Sequence, residues 1–84
     1  MTMQDLSDYI DEKIYNDPNQ VILTFYELRI RYNLSEEEVT TVIKLCENKF
    51  KNLGYRVYLT GENFIFKGES RKVESNELLV AIKE

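Results

Sequence analysis

Residues 24–54 read TFYELRIRYNLSEEEVTTVIKLCENKFKNLG, and the fold turns on how this stretch is divided. It contains two helix starts. Thr24 and Glu27 stand three apart, as do Ser35 and Glu38. That spacing lets a hydroxyl and a carboxylate satisfy the free N–H groups of a first helical turn. Asn33 tolerates the left-handed backbone that ends a helix. The first helix is therefore short, about 25–32, and only Asn33-Leu34 separates it from the second. There Val39, Ile43, Cys46, Phe50 and Leu53 recur at spacings of four and three, with Val42 and Leu45 widening the apolar stripe. Glu36, Glu37 and Glu38 suit the positive end of the helix dipole. Gly54 acts as a left-handed cap, with Tyr55 set to pack back on Phe50. This helix is expected over about 36–53.

On the N-terminal side, Thr2 and Asp5 repeat the capping spacing, and Met3, Leu6, Ile10 and Ile14 share one helical stripe, which predicts a helix over about 3–15. Asn16-Asp17-Pro18-Asn19 is a turn, and Gln20–Thr24, rich in β-branched residues, reads as a strand. On the C-terminal side, Tyr55–Thr60 and Asn63–Lys67 alternate around Gly61-Glu62, which predicts a tight β-hairpin. In that register Leu59 faces Phe64 and Val57 faces Phe66 on the inside. Tyr58 then pairs with Ile65, and Arg56 with Lys67, on the outside. Residues 68–74 read as a polar loop. Ser75-Asn76-Glu77 is expected to open a last helix carrying Leu78, Leu79 and Ile82, with a strand as the alternative.

Eighty-four residues make one domain, 1–84, of α+β class. Hydrophobic content of 43% with six tyrosines and four phenylalanines is enough for a core, which argues against a disordered chain. No apolar run approaches the roughly 18 residues of a membrane span, and the acidic N-terminus has no signal-peptide pattern. The single Cys46 allows no internal disulfide, fits a reducing compartment and reads as a buried core thiol. The expected location is cytoplasmic. There is no His, no glycine-rich phosphate loop and no metal-ligand spacing, so neither enzyme, cofactor nor metal is expected.

The order helix, strand, short helix (Phe25–Tyr32), abrupt turn (Asn33-Leu34), long helix (Glu36–Leu53) and hairpin resembles the winged helix-turn-helix superfamily. In that superfamily the helix after the turn enters the DNA major groove and the hairpin, or wing, touches the backbone or minor groove. The resemblance implies a small, dimeric DNA-binding transcriptional regulator. Thr40, Thr41, Lys44, Asn48 and Lys51 would meet double-stranded DNA in the groove. Arg29 and Arg31 would meet phosphate from the short helix, and Arg56, Tyr58, Lys67, Arg71 and Lys72 from the wing and beyond.

Charge suggests a different partner. The first forty residues hold nine acids and three bases, the other forty-four six acids and eight bases. Three glutamates stand where the reading head of the long helix would lie, and carboxylates repel phosphate. The alternative is a non-catalytic protein-interaction module. It would present Glu36 and Glu37, together with Asp8, Asp11 and Glu12, to an unidentified protein. Such a module suits a phage- or mobile-element-encoded modulator of a host complex. The apolar pair Tyr58 and Ile65 needs cover, which Leu78, Leu79 and Ile82 are expected to give, either within the chain or in a homodimer.

Overall fold

The computed structural model describes residues 2–83. Helix α1 (Met3–Asn16) leads to strand β1 (Gln20–Thr24), a π-helical segment (Glu27–Arg31) and helix α2 (Glu36–Asn52). Four strands follow: β2 (Arg56–Leu59), β3 (Asn63–Phe66), β4 (Glu69–Lys72) and β5 (Glu77–Ile82). The helix ends follow the capping logic. Thr2 Oγ1 accepts from Asp5 N–H while Asp5 accepts from Thr2 N–H, and Ser35 and Glu38 repeat the exchange. Thr24 Oγ1 accepts from Glu27 N–H at 3.2 Å to open the short helical segment. Asn33 takes φ 52° and Gly54 φ 90°, the two left-handed stops. Tyr55 N–H then donates to Phe50 O, and the two rings meet edge to face at 5.3 Å. The Tyr55 hydroxyl donates to Pro18 O at 2.7 Å and so fastens the turn after α1 to the end of α2.

The fold is organised in three layers. The central one is an antiparallel sheet in the order β1-β5-β2. Its register sets Leu79 between Leu23 and Leu59, and Ala81 between Val21 and Val57. Those rows face the helices, where Leu6, Tyr9 and Ile10 of α1 and Val39, Val42, Cys46 and Phe50 of α2 complete the main core. The alternate residues Ile22, Val80, Ile82 and Tyr58 face the other way. The β3-β4 hairpin covers them with Phe64, Val73 and Phe66, and Tyr58 stacks on Phe64 at 5.2 Å.

Three expectations are corrected here. Residues 77–82 form a strand, not a helix, because Leu78–Ile82 is an unbroken apolar run with no polar face to turn outward. Such a run suits a strand covered on both sides. Since β5 takes the edge of β2, the predicted pairing of β2 with β3 does not form. Gly61-Glu62 is instead where the chain leaves one sheet for the other. Glu62 N–H donates to Leu59 O, and the Glu62 carboxylate accepts from Leu59 N–H at 2.7 Å. The tight turn lies at Lys67-Gly68, with φ of 52° and 80°, and residues 69–72, expected as loop, form its second strand. A turn with both central residues left-handed matches the twist of a two-residue hairpin, but lysine is an uncommon residue there. Arg56 therefore stands opposite Ile82 rather than Lys67. Tyr58 and Ile65 lie on different sheets, Tyr58 half-buried and Ile65 exposed.

The layering predicts unequal mutational costs. Leu79→Ala, at a fully buried central position, is expected to cost about 2–5 kcal/mol. Ile65→Ala, on the open face of the hairpin, should fall within about 0.5 kcal/mol of the parent. Urea unfolding followed by circular dichroism measures both.

Candidate functional site

The outward face of α2 is a polar stripe. Glu37, Thr40, Thr41, Lys44, Asn48 and Lys51 are all exposed, as is Glu36 beside them. The Thr40 and Thr41 hydroxyls donate back to Glu36 O and Glu37 O. The stripe begins with acid. The Ser35 N–H and hydroxyl hold the Glu38 carboxyl below its usual pKa.

Half of the cations expected to meet phosphate are already engaged. Arg31 bonds Glu12 of α1 at 3.0 Å and Arg29 approaches Glu36 at 3.7 Å. Lys51 pairs with Glu47 at 3.2 Å. Arg71 is held by Glu77, a buried carboxylate that also accepts from Glu74 N–H, and its guanidinium lies over the Phe64 ring. Glu77 needs this partner, since an unpaired buried charge is costly. Arg71 is thus a structural counter-ion at the head of β5. Lys44, Arg56, Lys67 and Lys72 form no ion pair among the described residues.

Nor do the hairpin cations converge. Lys72 stands opposite Asn63 at one end of the β3-β4 ladder, and Lys67 lies in the turn at the other. Three residue steps separate the ends, on the order of 10 Å. Arg56 lies at the Lys67 end, beside Ile82. Tyr58 is half-buried against Phe64, so its ring is not offered to a base. Of the residues expected to join a protein interface, Glu36, Glu37 and Ile65 are exposed. Leu79 and Ile82 are core, and Leu78 packs half-buried against it.

The π-helical segment supplies a surface that the sequence did not announce. Leu28 is its one fully buried side chain, while Tyr26 and Ile30 are 72% and 64% exposed. The π widening breaks the 3.6-residue period by which a sequence pattern assigns faces. Thr24-Phe25-Tyr26-Glu27 thus reads as a cap, with no sign that an apolar side is left outside. Ion pairs frame this surface. Lys13 to Glu27 at 2.9 Å and Arg31 to Glu12 fix the segment to α1, and Arg29, which also lies over the Phe25 ring, reaches the first turn of α2. On α2, a shallow groove of about 380 Å³ is lined by Leu34, Glu37, Glu38, Thr41, Val42 and Leu45. Apolar side chains therefore lie beside several carboxylates on this face.

Among the described residues no three His, Cys, Asp or Glu side chains converge as metal ligands would. Cys46 is fully buried, and burial pushes its thiol up to about 12. Burial, with the nearby Glu27 charge second, also pushes the Tyr9 hydroxyl far above its ordinary value.

These two shifts give stability a direction with pH. An unfolded thiol ionises near about 8.5, whereas the folded one holds its proton to about 12. The unfolded state alone gains by ionising in that window, so stability is complete below about pH 8.5 and falls as pH rises above it. Urea midpoints measured from about pH 8 to pH 11 should decline, and Cys46→Ala should decline less steeply than the parent. Equal slopes would remove the thiol from the account.

Comparison of the chain with protein-family models, curated proteins and solved structures finds no match, so its functional reading rests on the geometry above.

Proposed function

We propose that this chain is a non-catalytic protein-interaction module of winged-helix type. It docks through the face formed by the π-helical segment and the start of α2 onto a partner surface with an apolar centre and a basic rim. The observation that carries this reading is the exposure of Tyr26 and Ile30 next to the acidic opening of α2. Interface cores are enriched in aromatic and apolar anchors and gain specificity from complementary charge around them. Winged-helix architecture is supported by the order helix, strand, short helix, two-residue turn and long helix, followed by strands that complete the sheet. The charge pattern supports a basic partner: the exposed carboxylates Asp8, Asp11, Glu36 and Glu37 belong to the two helices that hold the π-helical segment.

Double-stranded DNA is the second reading, favoured by one feature. Thr40, Thr41, Lys44 and Asn48 share an uncovered face of α2 and have side chains suited to base edges and phosphates. Against it stand the internal pairing of Arg29, Arg31, Lys51 and Arg71, and three carboxylates at the head of the same helix.

Two assays run in parallel separate the readings. The immobilised protein is exposed to lysate of its source organism, alongside Ile30→Asp and Ile65→Asp. Docking through the helical face predicts a retained protein that Ile30→Asp loses at least about ten-fold and Ile65→Asp keeps, with loss on raising salt from about 50 to 200 mM. In the second assay, anisotropy of a labelled random duplex is followed at the same two salts. Salt-sensitive duplex binding that Lys44→Glu abolishes and Ile30→Asp leaves intact would overturn the proposal in favour of DNA.

A further inference from the structure

The two edges of the central sheet are finished differently. In an antiparallel ladder the N–H and C=O of one residue point to the same side, and the side alternates along the strand. Lys83 N–H donates to Asn19 O at 2.9 Å, which fixes the alternation. Val21 and Leu23 therefore turn their backbone groups to Ala81 and Leu79 of β5, and Ile22 turns both of its groups outward. On the other side of β5, Val80 and Ile82 turn theirs to Tyr58 and Arg56, which leaves Val57 and Leu59 facing outward on β2. The chain closes the β2 edge itself. Leu59 N–H donates to the Glu62 carboxylate at 2.7 Å, and Leu59 O accepts from Glu62 N–H. Arg56 adds a charge at the start of the same strand. Such devices keep an edge strand from pairing with another chain. The β1 edge has none of them. Gln20–Thr24 holds no charge and no proline, and β5 is its one strand neighbour. No further backbone group bonds Ile22 N–H or Ile22 O among the described residues. A cleft of about 170 Å³ borders the strand at Gln20, Val21 and Ile22, with Lys13, Asn16 and Asp17 on its far wall.

We infer that β1 is a pairing edge whose occupant is β1 of a second copy of this chain, antiparallel across a two-fold axis at Ile22. An open strand edge is matched by the backbone of another strand, and the sequence of this one makes it its own complement. Ile22 presents one donor and one acceptor, so across the axis the two Ile22 residues exchange both N–H···O=C bonds. Gln20 then falls opposite Thr24 of the second copy, and no like charges face each other across the ladder. The Ile22 side chain is half-buried on the sheet face that the hairpin covers, and its counterpart completes that burial. The pairing joins two three-stranded sheets into one continuous sheet. Five residues from each copy make a small contact, so the dimer is weak and concentration-dependent. It uses backbone groups of β1 and does not rest on the helical docking face.

The test is sedimentation equilibrium of the whole chain from about 10 μM to 1 mM, with amide exchange followed by NMR over the same range. The dimer fraction should rise with concentration. The Ile22 amide should exchange at least about ten-fold more slowly at the upper end, while the Val57 amide, its outward counterpart on β2, keeps one rate throughout. Ile22→Pro removes a donor that faces away from β5 and spares the ladder, so it should stay monomeric with an otherwise native spectrum. Should that variant fail to fold, the contrast between Ile22 and Val57 in the parent decides alone. Ile30→Asp and Ile65→Asp, on the helices and the hairpin, should dimerise like the parent. A monomer at every concentration would leave the edge to a strand of another protein and contradict the inference. An Ile22 amide indifferent to concentration, a dimer that survives Ile22→Pro, or one that Ile30→Asp or Ile65→Asp abolishes would contradict it equally.

Discussion

The structure depends on the burial of one apolar strand from both sides. Leu79 and Ala81 of β5 face the helices, while Val80 and Ile82 face the hairpin. A strand with both faces apolar has to be central, and β5 is hydrogen-bonded to β1 on one edge and β2 on the other. Its first residue, Glu77, is the one charged side chain buried among the described residues, and Arg71 and the Glu74 N–H compensate it. Thr60 also donates to the Glu77 carbonyl. The head of β5 is thereby tied both to the hairpin and to the turn that leaves β2, so the second layer cannot lift without exposing a charge.

That dependence has consequences at the surface. Because β5 lies between β1 and β2, the β3-β4 hairpin folds onto the sheet face opposite the helices. Its cations are then on the other side of the sheet from the exposed polar stripe of α2. Acid outnumbers base on α1 and at the start of α2, while the hairpin carries Lys67, Arg71 and Lys72.

Local signals in the chain were readable where side chain and backbone chemistry are short-range. The boxes at Thr2 and Ser35, the cap by Thr24, the stops at Asn33 and Gly54, and the contact of Tyr55 with Phe50 all lie within five residues of their partners, and all appear in the structure. Strand pairing is non-local, and there the reading failed. Gly61-Glu62 has the composition of a hairpin turn, and nothing within five residues says that Leu78–Ile82 competes for the edge of β2. The LLVAI run was itself ambiguous between helix and strand, because an unbroken apolar stretch carries no period. The site was affected likewise. The outward residues of α2 follow from its stripe and are exposed as expected. The exposed Tyr26 and Ile30 depend on a π-helical widening for which the sequence has no marker.

Amide hydrogen exchange followed by NMR tests the central role of β5 most directly. If β5 is the strand on which both layers rest, the amides of Leu79, Val80 and Ala81 exchange only through global unfolding. Their protection then equals the full stability measured in denaturant. Exchange of those amides as fast as that of the Lys67-Gly68 turn, with α2 still protected, would show that the strand is peripheral and contradict the account.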